Sequence, residues 1–356
     1  MLPFKVELYL VNNFKYLGFS EPMALAMVEA LKVNPYPNPR VGALLIDEQG
    51  NVKAAANHKQ KGSNHAEINI FDQVQVDETD TLYVTLEPCF HSDTSPSCAT
   101  EIINQGVKNI VIGDIDLDIR TNGKSVSLLK DNNVSVQIES NVNNIINPYY
   151  ENTHKKLKDI HYLLKIGVSK NDYITNDASD ARYITNEISL SIVHYLRATA
   201  DCIVIGKNTL LNDEPKLNVR ISGINNIDHN PEPIVMWGRS TENIESAMKK
   251  YPTFTFLSSM PSRENNTYCD TSSLSDVEEY FLERKFRNIF IEGGKSILDS
   301  FLRDHKIDSI YEFKSNLNIE NGIHIGHNYR TEIDNNYHMN NKYELLDNLL
   351  TTYTKN

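Results

Sequence analysis

The stretch TLYVTLEPCFHSDTSPSCATEIINQG, residues 81–106, reads as a strand, a loop and a helix in succession. TLYVTLE (81–87) has the β-branched and aromatic content of a strand. CATEIINQG (98–106) has helical period and ends on Gly106, the residue type that most easily closes a helix. Cys89 follows the strand and Cys98 opens the helix. A thiol at a helix N-terminus is stabilised as thiolate by the dipole and by free backbone N–H groups.

The flanks repeat this alternation. PMALAMVEAL (22–31) and HAEINIFDQV (65–74) read as helices, and RVGALLI (40–46) and NIVIGD (109–114) as strands. VSLLKDNNVSVQI (126–138) adds a helix and a strand. This βαβα order predicts a sheet covered by helices on both faces. SNVNNIINPYYENTHKKLKD (140–159) is polar and Asn-rich, the best candidate boundary. A second alternating block follows: YLLKIGVS, ISLSIVHYLRAT, DCIVIGKNTL, PIVMWG, FTFLSS, VEEYFLERK, NIFIEGG and SILDSFLRDH. The expectation is two α/β domains, residues 1–145 and 158–356. SGINNIDHN (222–230) and NNYHMNNK (335–342) read as polar loops.

The chain has 356 residues, 40% of them hydrophobic, enough for two packed cores. A formal charge of -12 argues against non-specific nucleic-acid binding, which needs a basic surface. It leaves room for a small anionic substrate held by a local cluster of cations. Four cysteines in so long a chain do not make a disulfide scaffold. The first residues show no signal peptide, and no apolar run is long enough to span a bilayer. The expected location is the cytoplasm.

SNHAEINIF (63–71) places His65 and Glu67 two residues apart at a helix start. Helix neighbours at that spacing do not share a face. The pair makes sense if both side chains point at a third object. His65, Cys89 and Cys98 are three metal donors, and a catalytic zinc site typically has three and leaves a fourth position to water. Glu67 then stands where it can move a proton of that water. A structural site with His91 as a fourth ligand is the plainer alternative.

H-A-E followed by P-C and a second Cys is the pattern of the zinc deaminases. Many of these have a C-x-x-C spacing, whereas eight residues separate Cys89 from Cys98 here. That longer loop, PNPRVG at 37–42 and His58 seven residues before His65 resemble the bifunctional deaminase/reductases of riboflavin biosynthesis. The resemblance implies a cytidine-deaminase-like α/β/α domain, with Asn38 hydrogen-bonding a pyrimidine and His58 near its sugar-phosphate arm.

RATADCIVIGKNTLLNDEPKLNVR (197–220) resembles the reductase half of the same family, a dihydrofolate-reductase-like α/β domain. The resemblance implies that Arg197 and Arg220 hold the substrate's ribose-phosphate, with Lys165, Leu217 and Glu292 as further substrate contacts. Val168, Tyr183, Thr209 and Asp213 match cofactor contacts. Gly293 and Gly294 follow the strand NIFI and precede a helix, a good seat for a cofactor phosphate. Zinc and NADPH are the implied cofactors, a phosphoribosylated pyrimidine the implied small-molecule partner, and a homo-oligomer the expected assembly.

Several positions depart from the family pattern. Thr94 stands where the loop between the cysteines usually has a basic residue, and Asp116 where D-P-N-P has Asn. Asn171-Asp172 replaces D-G, and Ala181 replaces a Ser, with Arg182 beside it. These changes leave the zinc chemistry intact and bear on substrate identity. A paralogue acting on a related pyrimidine, or a scaffold protein with degraded sites, are the alternatives; the intact Glu67 argues against the scaffold.

Overall fold

The structure, a computed structural model, describes residues 16–33, 35, 38–91, 96–147, 150, 160–175, 184–220, 230–260 and 267–356. The chain divides into two compact units, residues 1–157 with 220–229 and residues 158–219 with 230–356.

The first unit contains α1 (Glu21–Leu31), β1 (Gly42–Ile46), β2 (Val52–Asn57), α2 (Ala66–Phe71), β3 (Thr81–Val84), α3 (Cys98–Asn104), β4 (Asn109–Ile112), α4 (Lys124–Asp131), β5 (Ser135–Ile138) and α5 (Asn143–Ile146). Its five-stranded sheet has the order β2-β1-β3-β4-β5. β1 runs antiparallel to β2 and β3, and β3, β4 and β5 are parallel. Ser20 caps α1, its Oγ accepting from the Met23 N–H at 3.3 Å. Gly42 lets α1 lie on β1: a Cβ there would stand 2.0 Å from the Ala26 carbonyl oxygen. Leu45, Ile70, Leu82, Val84 and Ile112 fill the core between the sheet and its helices.

The helix expected over 65–74 is shorter, ending at Phe71 with Asp72 as its C-cap. β2 carries three alanines, poor strand formers, so its sequence hides a strand that pairing with β1 creates.

The second unit contains β6 (His161–Val168), α6 (Glu187–Thr199), β7 (Cys202–Gly206), α7 (Lys207–Asp213), β8 (Glu232–Gly238), α8 (Ile244–Lys250), β9 (Thr255–Ser258), β10 (Thr267–Tyr268), α9 (Leu274–Glu283), β11 (Asn288–Ile291), α10 (Lys295–Arg303), β12 (Ser309–Ser315), α11 (His327–Asn336), β13 (Tyr337–Leu345) and β14 (Asn348–Lys355). They form a nine-stranded sheet in the order β10-β9-β8-β7-β11-β6-β12-β14-β13. The strands from β10 to β12 are parallel, and the central β7 and β11 read as near-continuous apolar runs, as doubly covered strands do. The hairpin of β13 and β14 closes one side antiparallel.

NNYHMNNK therefore corrects the expectation of a loop, since most of it lies in β13. This edge strand is mostly exposed along its length, so it can carry asparagines and keep its register through β14. SGINNIDHN lies outside the described residues except for Asn230. Among the described residues no helix is long and apolar enough to cross a membrane.

Candidate active site

In the first unit, His65 is the N-cap of α2 and Cys98 the first residue of α3. The starts of the two helices bring His65 Nδ1 to 3.2 Å from Cys98 Sγ. The Cys98 backbone N–H donates to Cys89 Sγ at 3.3 Å. One donor atom each from His65, Cys89 and Cys98 lies within 4.8 Å of the others, and among the described residues this is the cluster suited to a metal. His91 is outside it, its Nδ1 standing 3.4 Å from Thr121 Oγ1.

The donors already share charge. Hydrogen bonding to Cys98, then to His65, draws the Cys89 thiol down to about 4. Bonding to Cys89 raises the His65 imidazole to about 9. The Cys98 thiol is pushed up, first by its bond with Cys89 and then by burial. One imidazole and two thiols fit a zinc ion, whose binding would release the thiol protons. Glu67 is the second residue of α2, only 2% exposed, and burial raises its carboxyl.

A cavity of about 230 Å³ is lined by His65, Glu67 and Cys89 together with Asn38 and His58. Asn38 Nδ2 donates to His58 Nε2 at 2.9 Å, and His58 Nδ1 donates to the Asn64 carbonyl at 3.1 Å. Burial lowers the His58 pKa, which favours the neutral ring that this pattern uses. His58 also meets His65 edge-on at 5.1 Å between ring centroids. Thr94 lies outside the described residues.

The same cavity is lined by residues to which the sequence reading gave no site role: Glu87, Asp118, Arg120 and Tyr150. Glu87 is 3% exposed. It accepts from the backbone N–H groups of Asp116, Gly123, Ser125 and Val126 at 2.9–3.2 Å. It thereby caps the start of α4 and folds the loop before it. Its place in L-E-P-C was the one available signal. Asp116 also lines the cavity and accepts the Tyr150 hydroxyl at 2.6 Å.

In the second unit, Lys165, Arg197 and Glu292 converge. The Arg197 guanidinium donates twice to Glu292 at 2.9 Å, and Lys165 Nζ lies 3.7 Å from Glu292 Oε1. Burial alone would raise the Glu292 carboxyl, but Arg197 and Lys165 hold it below its ordinary value. Burial lowers Lys165. Gly294 is the N-cap of α10, and its N–H donates to Thr209 Oγ1 at 3.0 Å. A Cβ on Gly293 would stand 2.8 Å from Ile297 Cβ, so glycine keeps this backbone close to α10. A glycine turn opening a nine-residue helix suits the phosphate of a dinucleotide such as NADPH. Val168 ends β6 fully buried, and Leu217 is buried with a left-handed φ of +51°. Asp213 is exposed, as is Arg220, which falls in the first compact unit and is not brought to this cluster. Tyr183, Ala181 and Arg182 lie outside the described residues.

Comparison with known proteins matches residues 20–114 to the cytidine and deoxycytidylate deaminase zinc-binding region and residues 163–313 to the RibD C-terminal domain. Riboflavin biosynthesis protein RibD of Aquifex aeolicus (strain VF5) is 26% identical over 320 residues, 85% of this chain and 88% of that protein. The diaminohydroxyphosphoribosylamino-pyrimidine deaminase of Buchnera aphidicola subsp. Schizaphis graminum is 37% identical over 103 residues, 29% of this chain and 69% of that protein. The solved diaminohydroxyphosphoribosylaminopyrimidine deaminase/5-amino-6-(5-phosphoribosylamino)uracil reductase of Thermotoga maritima shares the fold. Its TM-score is 0.64 at 22% identity, covering 97% of this chain and 100% of that one.

Proposed function

This chain belongs to the bifunctional deaminase/reductase family of riboflavin biosynthesis, and from that premise we propose its substrates, cofactors and working residues. The first domain deaminates 2,5-diamino-6-(5-phosphoribosylamino)pyrimidin-4-one with water, releasing ammonia. The second reduces the ribosyl group of the product to a ribityl chain.

The observation that carries the reading is the meeting of His65, Cys89 and Cys98 with the buried Glu67 in one region of the first domain. Those three side chains would hold a zinc ion, which would supply Lewis-acid activation of water. Glu67 accepts a proton as the water attacks the amino-bearing carbon and returns one to the departing amine. Asn38, fixed by its bond to His58, presents its amide to the pyrimidine edge. His58 stands toward the sugar-phosphate arm.

In the second domain, NADPH when bound would supply the hydride for reduction of the sugar. The chain's part is placement. The Gly293-Gly294 turn with Thr209 seats a cofactor phosphate, and Val168, Tyr183 and Asp213 complete the cofactor contacts. Arg197, held rigid by Glu292, takes the substrate phosphate, with Lys165, Leu217 and Glu292 around the sugar. A coupled assay with the phosphoribosylated diaminopyrimidine tests the whole reading. Ammonia should appear without NADPH, and oxidation of NADPH should follow only once deamination has run. Inertness toward that compound, with turnover of a related pyrimidine, would favour the paralogue.

A further inference from the structure

We propose that Asn171 and Asp172 are positioning residues for the reductase: they fasten the turn after β6 to the segment after β12, which in turn reaches the glycine turn at the start of α10. Two chain segments assigned to the cofactor are thereby held in place before it binds. The inference rests on the NADPH reading of the second domain and concerns how the site for that cofactor keeps its shape.

Val168 is the last residue of β6, and the turn of residues 169–172 follows it directly. Asn171 grips the second segment at both groups of one peptide unit. Its Nδ2 donates to the Ile319 carbonyl at 2.8 Å, and its Oδ1 accepts from the Ile319 N–H at 3.0 Å. The Lys170 N–H donates to the Leu317 carbonyl at 2.7 Å, and the Ile174 N–H to the Ile323 carbonyl at 2.8 Å. Ser169 Oγ closes the turn, donating to Asn171 Oδ1 and accepting from the Tyr173 N–H, each at 2.9 Å.

Asp172 adds charge to these ties. Its carboxylate accepts from Arg330 Nη2 at 2.7 Å and from Lys314 Nζ at 3.1 Å. Lys314 lies opposite Val168 in the register of β12 and β6, and Arg330, on α11, also donates to the buried Glu312 at 2.6 Å. The Asp172 carbonyl accepts from the Ile325 N–H at 2.8 Å, and the Ile325 carbonyl accepts from Lys295 Nζ at 2.8 Å. Lys295 follows Gly294 and opens α10. Ile325, fully buried, therefore links the turn after β6 to the turn that seats a cofactor phosphate in this reading. Segments ordered in advance take nothing from the ligand's binding free energy for their own ordering. Asp172 has a φ of +65°. Glycine holds such a backbone without steric cost and brings no carboxylate, so Asp172→Gly removes the ion pairs and spares the turn.

The test uses the full-length protein. Without cofactor, amide hydrogen exchange at Lys170 and Ile174 should be slow, and Asp172→Gly should speed it. In that variant the Kd for NADPH, by direct titration, and its KM in reduction of an already deaminated substrate should both rise. The rise should be roughly tenfold, as when the turn is in place in about a tenth of the molecules. At saturating NADPH, kcat should hold. Loss of a carboxylate by itself favours an anionic cofactor, so a rise in Kd identifies the positioning role. Lys314→Met, which leaves Arg330 on Asp172, should raise both constants by a smaller factor. Added to Asp172→Gly it should raise them no further, because its partner is already gone. If Asp172→Gly does not fold, Lys314→Met carries the test alone. NADPH binding by the unmodified protein with both constants unmoved in the variants, whatever the exchange shows, overturns the inference and leaves the NADPH reading standing. Failure of the unmodified protein to bind NADPH overturns that reading and the inference with it.

Discussion

His65 Nδ1 stands 3.2 Å from Cys98 Sγ, although 33 positions separate the two residues in the chain. The starts of α2 and α3 bring them together, and Cys89 completes the set. The purified protein is expected to hold about one zinc per chain. Cys98→Ser should lose most of it, as read by elemental analysis; full zinc content in that variant would contradict the donor set.

Glu87 gathers four backbone N–H groups in a buried position. Replacing it with Ala leaves those donors without their acceptor, at about 1–3 kcal/mol for each that water cannot reach. Glu87→Ala should therefore lower the urea midpoint of the protein and sharply reduce deamination, since the loop carrying Asp116 loses its anchor. Unchanged stability and unchanged deamination would show that the loop is held by something else.

Arg197 and Glu292 form a two-point ion pair in the second domain. Arg197→Lys keeps the charge and loses the planar fork, so reduction should fall by roughly two orders of magnitude in kcat/KM, equivalent to about 2–3 kcal/mol. Deamination should be unaffected. Steady-state kinetics of each half-reaction reads both outcomes.

Asp172 accepts from Arg330 at 2.7 Å and from Lys314 at 3.1 Å. Burial pulls its pKa upward, but these partners outweigh burial and hold it below the ordinary value. A carboxyl lowered on folding stabilises the fold above its unfolded pKa, and that contribution is lost as pH falls through the folded one. Asp172→Asn should lower the urea midpoint at neutral pH, and its difference from the unmodified protein should shrink below about pH 4. A difference that persists undiminished at acid pH would mean that packing, not charge, is responsible.

Much of this was legible in the residues themselves. His65, Glu67, Cys89 and Cys98 are recognisable because metal chemistry restricts both residue type and order. The parallel strands are recognisable because burial on both faces demands continuous apolar runs. Other features depend on contacts that no local pattern announces. β13 reads as loop because its exposed side tolerates asparagine, and only β14 reveals it as a strand. Tyr150 sits in a polar stretch, and its place in the cavity wall appears only when its hydroxyl is seen on Asp116. Asp172 looks like the loss of a glycine. The structure shows that it keeps a left-handed φ of +65°, which Asp tolerates better than most residues, and gains two cationic partners.

The central claim is that one chain carries two separate chemistries, with Glu67 moving protons in the first alone. The most direct test is Glu67→Gln, measured for zinc content, for deamination and for reduction of an already deaminated substrate. The account predicts full zinc, deamination reduced by several orders of magnitude, and reduction at the rate of the unmodified protein. Deamination that survives, or loss of both activities together in a folded, zinc-loaded protein, would contradict it.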